Sequence, residues 1–299
     1  MNNKTVLALG IAALATLAGT AYAYDSSQPE QPVQPVQPAK LLAVQPAATP
    51  APVSETAAAA TQAAVAVPAY AGIKDSMLNA VDNYRTVQGT FRYNFPAAES
   101  DLIIDFIVAE GEQAGSYVTV TNQATGKLVS ETAVNGTFMQ TLYQDAKKFH
   151  KAYVSLANIV NIDGPRETKD ENGIPIFLYR GDAAFANTAQ EVTFPQVYAF
   201  WLNDERQNYK VAEEEKLLGR AVTVIEGTFD AEMAKKHKAT RFTMWIDSET
   251  GVLLKLQETD ESGTIVGDLE VTAISFNQEV DRSKFSTETP DGYTDSRVR

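Results

Sequence analysis

The stretch that decides the fold is residues 219–276, GRAVTVIEGTFDAEMAKKHKATRFTMWIDSETGVLLKLQETDESGTIVGDLEVTAISF. It contains four runs of β-branched, aliphatic and aromatic side chains, which are typical of β-strands. The runs are residues 221–225, 242–246, 252–256 and 269–274. Polar segments join the last three runs, and each segment ends with a glycine, Gly251 or Gly263, that permits the positive φ of a tight turn. We therefore predict consecutive antiparallel strands joined by hairpin loops.

The other end of the chain has the features of a secretory signal. Lys4 supplies a positive charge, residues 6–19 are apolar, and the tripeptide AYA at 21–23 is a cleavage motif. We predict that residues 1–23 are removed, that Tyr24 begins the mature chain, and that the protein is exported to the cell envelope or secreted. The alternative is that the apolar stretch is kept as a membrane anchor, but it is shorter than the ~20 residues that a spanning helix needs.

Residues 24–70 have the composition of a linker. They hold eight of the thirteen prolines, and the remainder is mostly Gln, Ala, Val and Thr. Four prolines from Pro29 to Pro38 recur at every third residue, which is the period of a polyproline II helix. We predict a disordered Pro/Ala-rich spacer that holds a domain away from a surface. The alternative is that its P-x-x-P pattern is a docking ligand.

Residues 71–299 remain for one folded domain, a length that is usual for an antiparallel sheet with covering helices. Few charged side chains precede it, so the domain carries nearly all of the net charge of −13. Acidic surfaces oppose binding to nucleic acid and to anionic lipid surfaces, whereas a neutral or apolar ligand is compatible with them. The chain has no cysteine, which excludes disulfides, thiol nucleophiles and cysteine-ligated metals.

The first half of the domain predicts one helix followed by strands. Apolar side chains recur at three- and four-residue spacing from Ile73 to Tyr84, which indicates an amphipathic helix lying on the sheet. After Gly89 the period falls to two, because Phe91 and Tyr93 alternate with polar residues. Further strands are predicted at residues 102–108, 117–121, 128–134 and 137–143, with Asn135-Gly136 as a two-residue turn between the last two.

Residues 142–160 fit two structures. Their apolar side chains recur with a helical period, which favours a helix. Residues 143–154 also fit two strands that turn at 145–148.

Two elements are predicted between this segment and the hairpins of the C-terminal third. Residues 174–179 indicate a short strand. Thr193 is expected to cap the amide of Gln196 at the start of a helix over residues 197–202, which would bury Tyr198 or Trp201.

Several short motifs of the second half resemble Gram-positive members of the LolA/RseB-like superfamily. They are FPQxYAF at 194–200, LGR at 218–220, VIEG at 224–227, FxMWxDxETG at 242–251 and LK at 254–255. The resemblance extends over most of residues 71–276. It implies a mainly β fold with α-helices: a curved, incompletely closed antiparallel half-barrel whose apolar concave side is covered by helices and loops.

The same resemblance implies a binding function. The cavity would accept the acyl chains of a lipid or lipoprotein, either to carry lipoproteins or to sense them and regulate a membrane anti-sigma factor. In the carrier branch an Arg on an early strand is associated with closing of the lid, and the matching region, residues 116–127, has no Arg. This departure from the carrier pattern favours a sensor of lipoproteins, or a protein that binds acyl chains without transferring them to another protein.

The candidate cavity residues are large apolar side chains on predicted strands. They are Phe91, Tyr93, Ile104, Phe106, Phe242, Met244, Leu254 and Leu256. For each of them, packing in a closed core is the alternative to ligand contact.

Local signatures of common enzymes are absent from the sequence, including G-x-S-x-G, H-E-x-x-H and the P-loop. His150 and His237 lie among lysines, which indicates solvated surface and not a general base. Carboxylates at 163–171 and 213–215 lack the spacing of a calcium loop, so we expect no metal and no cofactor. A glycosidase-type pair of acids stays open, because such pairs are distant in sequence.

Together these patterns predict a non-enzymatic exported protein that binds acyl chains, with no nucleic-acid partner. The alternative is a surface-tethered scaffold or interaction module with a fully packed core.

Overall fold

The computed structural model describes residues 72–95, 101–154, 165–204 and 206–297. The predicted signal sequence and linker, residues 155–160 of the segment with two interpretations, and Asp163 lie outside these ranges. In the described ranges, no helix is both long and apolar enough to cross a membrane.

The described residues form fourteen strands. In chain order they are β1 (Thr86–Asn94), β2 (Leu102–Ala109), β3 (Gly115–Asn122), β4 (Lys127–Val134), β5 (Phe138–Tyr143), β6 (Lys148–Tyr153), β7 (Glu167–Lys169), β8 (Pro175–Phe177), β9 (Tyr209–Leu217), β10 (Arg220–Thr228), β11 (Arg241–Asp247), β12 (Leu253–Thr259), β13 (Ile265–Phe276) and β14 (Thr294–Asp295). Four short α-helices accompany them within the same ranges: α1 (Ile73–Leu78), α2 (Gln190–Thr193), α3 (Gln196–Ala199) and α4 (Ala231–His237).

Twelve strands form one sheet in the order β14-β6-β5-β4-β3-β2-β1-β13-β12-β11-β10-β9, and β7 pairs with β8 separately. The pairs are antiparallel apart from β14 with β6. Because β9 and β14 stand at opposite ends of the order, the sheet is unclosed. The predicted curved antiparallel half-barrel is thereby confirmed.

The central strand pair, β1 with β13, joins two meanders. One meander runs from β1 out to β6, and the other runs from β9 in to β13. In the central pair Phe91 faces Val271 and Tyr93 faces Leu269. The sheet is therefore held together at its middle by residues that are far apart in sequence.

The predicted hairpins of residues 219–276 are confirmed. Consecutive strands from β10 to β13 pair with one another, and Gly251 and Gly263 have φ of 76° and 85°. The hairpin predicted at Asn135-Gly136 is present, but its two central residues are Gly136 and Thr137, because the amide of Asn135 donates to the carbonyl of Phe138. The Asn135 side chain accepts hydrogen bonds from the amides of Thr137 and Phe138. Turn chemistry thus determines the local connections.

Helices cover one side of the sheet, which we call the inner face. Its side chains meet across strands, since Phe91 pairs with Ile104 and Leu256 pairs with both Met244 and Leu269. The cover consists of α1 with the 3₁₀ turn Ala80–Asp82 and of residues 182–202, which contain α2 and α3. Buried cover and sheet side chains form one apolar cluster.

The outer face of β3 to β6 is covered by residues 282–295, which we call the C-terminal strap. Phe285 lies against Gly115, and the side chain of Gln140 donates a hydrogen bond to Thr289 at 3.0 Å. Lys151 Nζ donates to the carbonyl of Thr287 at 2.6 Å. The strap explains why consecutive side chains in β4 and β5, which point to opposite faces, are buried.

Residues 142–154 form a hairpin, so the helix favoured by periodicity is wrong there. Leu142 on β5 pairs with Phe149 on β6, and Lys147 takes a φ of 47° in the turn between them. In a helix the backbone N–H and C=O groups of these residues would hydrogen-bond to one another. Here they hydrogen-bond to neighbouring strands, because β5 pairs with β4 and β6 pairs with β14. Tertiary pairing overrides the local period.

The predicted cap at Thr193 is also wrong. Thr193 Oγ1 donates to the carbonyl of Ala189 within α2, and α3 begins at Gln196 without a side-chain cap. The helix ends at Ala199, earlier than predicted. Tyr198 is buried and Trp201 is half-buried, so both aromatic residues contact the core.

Candidate functional site

The eight predicted cavity residues all lie in the buried apolar cluster. Their exposed fractions range from 0% for Phe91, Ile104, Met244, Leu254 and Leu256 to 8% for Tyr93, with Phe242 at 1% and Phe106 at 2%. The structure brings them together as two groups, one on β1 and β2 and one on β11 and β12. Leu269 and Val271 of β13 lie between the groups.

The cover fills the inner face above these residues. Met77 of α1, Val192 of α2 and Leu202 have no exposed surface, and Phe194 and Tyr198 are 4% and 5% exposed. An open groove of about 400 Å³ lies instead on the outer face, where apolar residues such as Ile107 and Tyr117 line it together with Asp105 and Lys284. Access of a ligand to the inner face therefore requires movement of the cover.

One carboxylate interrupts the apolar inner face. Glu258 follows Leu254 and Leu256 along β12, and it pairs across strands with Phe242 and Gly267. Its side chain is 1% exposed. Oε1 lies 2.9 Å from Nδ1 of His237, whereas Oε2 has no hydrogen-bond partner among the described residues.

A second carboxyl group lies nearby on the cover. Glu191 of α2 accepts a hydrogen bond from the hydroxyl of Tyr198. Burial raises the pKa of Glu191 to about 7. Burial, followed by the charges of Glu191 and Glu258, raises the pKa of Tyr93, and burial with the charge of Glu191 raises the pKa of Tyr198 as well. Glu191, Glu258, Tyr93, Tyr198 and His237 form what we call the polar cluster.

Aromatic rings surround the end of the inner face at which Glu258 lies. The ring of Trp201 is 4.9 Å from Phe229, 5.5 Å from Phe242 and 5.1 Å from His237, measured between centroids. Phe229 stacks on His237 at 4.9 Å with an interplanar angle of 20°. Trp201 also lies 4.8 Å from Tyr198, which connects the rings to the cover.

Two glycines permit this arrangement of rings. A Cβ at Gly227 would overlap the Phe242 ring, and a Cβ at Gly267 would overlap the Phe95 ring. Each ring therefore lies directly on the backbone of a strand. Glycine within a strand is often a mark of such a close approach.

The polar cluster offers hydrogen-bond acceptors and phenolic hydroxyls within an apolar surface. Carboxylates accept hydrogen bonds and attract cations, and aromatic faces attract them further. Among the described residues, no group of three or more His, Asp or Glu side chains could hold a metal ion.

Sequence reasoning missed the polar cluster and misplaced one member. His237 was expected on solvated surface, but it is half-buried between Phe229 and Trp201, with Nδ1 in a hydrogen bond to Oε1 of Glu258. The available signal was the alternation of Leu254, Leu256 and Glu258, which places the carboxylate on the apolar face of the strand.

Comparisons with known proteins find one family model that matches part of the chain. Residues 154–289 match the model of the MucB/RseB N-terminal domain. No curated protein matches the sequence. Similar solved structures include an uncharacterized conserved protein from Thermus thermophilus, with 10% identity over 74% of this chain and 96% of that chain and a TM-score of 0.40. A structure of the Pseudomonas aeruginosa MucA/MucB complex is also similar, with 15% sequence identity over 73% of this chain and 62% of that chain and a TM-score of 0.41.

A lipoprotein of Mycobacterium tuberculosis, LppX, is 14% identical over 72% of this chain and 98% of that chain, with a TM-score of 0.39. The family match spans α2, α3 and the hairpins from β9 to β13, which hold the motifs that resemble the superfamily. Over residues 154–289 the chain is therefore similar to the MucB/RseB N-terminal domain, which supports its resemblance to the LolA/RseB-like superfamily.

Proposed function

We propose that this is an exported, non-enzymatic protein that binds the acyl chains of a lipid or lipoprotein against the inner face, as an envelope sensor and regulator or as a carrier. The observation that carries the proposal is the cover. Helices α1, α2 and α3 have only 6, 4 and 4 residues, yet they close one continuous apolar surface on the sheet. Isolated helices this short are unstable, so the cover depends on the sheet for its structure.

The energetics are compatible with exchange of the cover for a ligand. Burial of each CH₂ group contributes about 0.8 kcal/mol. The contacts of a bound acyl chain with the sheet would therefore offset the contacts that Phe194 and other residues of the cover lose when the cover moves away. A ligand that binds only the open form shifts the population toward it.

We also propose the organisation and partners of the chain: cleavage after Ala23, a linker over residues 24–70 and one domain over residues 71–299. The absence of Arg from residues 116–127 supports sensing over transfer of the ligand to another protein. The resemblance to the LolA/RseB-like superfamily implies an anti-sigma factor as a partner.

A second candidate function is a scaffold with a fully packed core. It is favoured by one observation, the complete burial of Met77, Met244 and Leu256 beneath the cover. The two candidates differ in whether apolar ligands enter the inner face.

Lipid extraction and mass spectrometry of the purified mature protein test the proposal. We expect co-purified acyl lipids and saturable binding of a fluorescent fatty-acid probe, with an intact mass that corresponds to a chain beginning at Tyr24. Absence of both lipid and probe binding would favour the scaffold.

A further inference from the structure

We infer that the polar cluster selects a cationic group, so that the preferred ligand is an acyl chain bearing an ammonium group. This inference rests on the proposed function, because it names the chemistry of the ligand that the inner face takes.

One oxygen of the Glu258 carboxylate is unpartnered. A carboxylate oxygen buried without a hydrogen bond is unfavourable, and native proteins seldom leave one. Oε1 is bonded to His237 at 2.9 Å, and Oε2 has no partner among the described residues. An ammonium group would supply both a hydrogen-bond donor and the opposite charge.

Aromatic rings surround this carboxylate. Trp201, Phe229 and Phe242 lie within 4.9 to 5.5 Å of one another beside Glu258. Aromatic faces attract cations, and a carboxylate beside an aromatic cluster adds the opposite charge and a hydrogen-bond acceptor. His237 already occupies part of this environment, stacked on Phe229 and bonded to Glu258.

The buried acidic side chains at this end of the inner face attract a cation, whereas Lys236 and Lys238, which flank His237, are exposed to solvent. Glu191 adds a second carboxyl group, and the charges of both carboxylates act on the Tyr93 hydroxyl. Lys74, a cationic side chain of the cover, is engaged by Glu167 at 2.9 Å and by the Leu202 carbonyl at 2.6 Å. An anionic headgroup such as a carboxylate or phosphate would meet repulsion here.

Three amphiphiles with the same chain test the inference: dodecylammonium, dodecanol and dodecanoate, each below its micelle-forming concentration. Isothermal titration of the full mature protein at pH 8 should give a Kd for dodecylammonium at least tenfold below that for dodecanoate. Dodecanol should lie between them. Equal affinities for the three would overturn the inference and leave the proposed function standing, whereas no binding of any amphiphile would overturn both.

Glu258→Gln and Glu261→Gln form a matched pair of variants. Both lose one negative charge, but Glu261 lies exposed in the turn between β12 and β13. We expect Glu258→Gln to reduce the preference for dodecylammonium to less than threefold and Glu261→Gln to preserve it. Equal preferences in both variants would show that net charge alone attracts the cation and would overturn the inference. Should Glu258→Gln fail to fold, the headgroup preference of the wild type is measured again at 0.5 M NaCl. Salt screens attraction by the net charge but screens a buried pair much less, so loss of the preference would overturn the inference.

Discussion

Nδ1 of His237, the last residue of α4, lies 2.9 Å from Oε1 of Glu258 on β12. Helix α4 has no buried residue of its own. Its C-terminal end contacts the sheet through this bond, and His237 also stacks on Phe229, the residue after β10. The contact closes the aromatic end of the inner face. It joins the least buried helix to the most buried carboxylate of the polar cluster.

Replacement of His237 by Ala should destabilise the protein by about 1 to 3 kcal/mol, because both oxygens of a buried carboxylate then lack a hydrogen-bond donor. The free energy of unfolding from urea titration measures the effect. Lys236→Ala, at the exposed neighbouring position of α4, is the control and should change stability by less than about 0.5 kcal/mol. Equal effects of the two substitutions would contradict the structural role of the His237–Glu258 bond.

Gly227→Ala should destabilise the protein by about 1 to 3 kcal/mol, since the new methyl group overlaps the buried ring of Phe242. Thermal unfolding of the variant checks this. The double variant Gly227→Ala with Phe242→Leu should be less destabilised than the sum of the single variants, because a smaller side chain relieves the overlap. Strict additivity would show that the two positions do not interact.

Stability should fall with rising pH through the titration of Glu191. Burial raises its pKa to about 7 in the folded protein, above its ordinary value of 4.5. The unfolded state therefore loses its proton first, and the folded state loses relative stability as the pH rises from 4.5 to about 7. Melting temperatures at pH 5 and pH 8 should differ more for the wild type than for Glu191→Gln. Identical pH profiles would exclude Glu191 as the source.

Deletion of residues 25–68 should leave the melting temperature of the remaining domain nearly unchanged. This segment is rich in Pro, Ala and Gln and poor in large apolar side chains, so it has little surface to contribute to a core. Calorimetry of the mature protein and the deletion variant provides the comparison. A large decrease in melting temperature would show that the linker packs on the domain.

The sequence allowed much of the fold to be predicted, because turns and strand periods are local. Asn135, Gly251 and Gly263 mark hairpins that the structure contains. The turn at 144–147 has no glycine, and its positive φ falls on Lys147, so local chemistry did not distinguish a hairpin from a helix there.

Long-range contacts were beyond sequence reasoning. The pairing of β1 with β13 and the placement of Phe285 against Gly115 join segments with no local signal for one another. Burial of the eight apolar candidates was predictable because alternation indicates which residues share a face, whereas their contact with a ligand stays a prediction. The polar cluster was not found, since Glu191, Glu258 and His237 come from three separate elements.

Binding of acyl chains at the inner face is the central claim, and substitution of Met244 or Leu254 by Trp tests it most directly. Both side chains have no exposed surface. If ligands enter this face, each variant should fold and lose affinity for a fluorescent fatty-acid probe that the wild type binds, because the larger side chain occupies the space of the ligand. A packed core would instead lose about 1 to 3 kcal/mol on overfilling. Unfolding of both variants, together with a wild type that carries no lipid and binds no probe, would contradict the account.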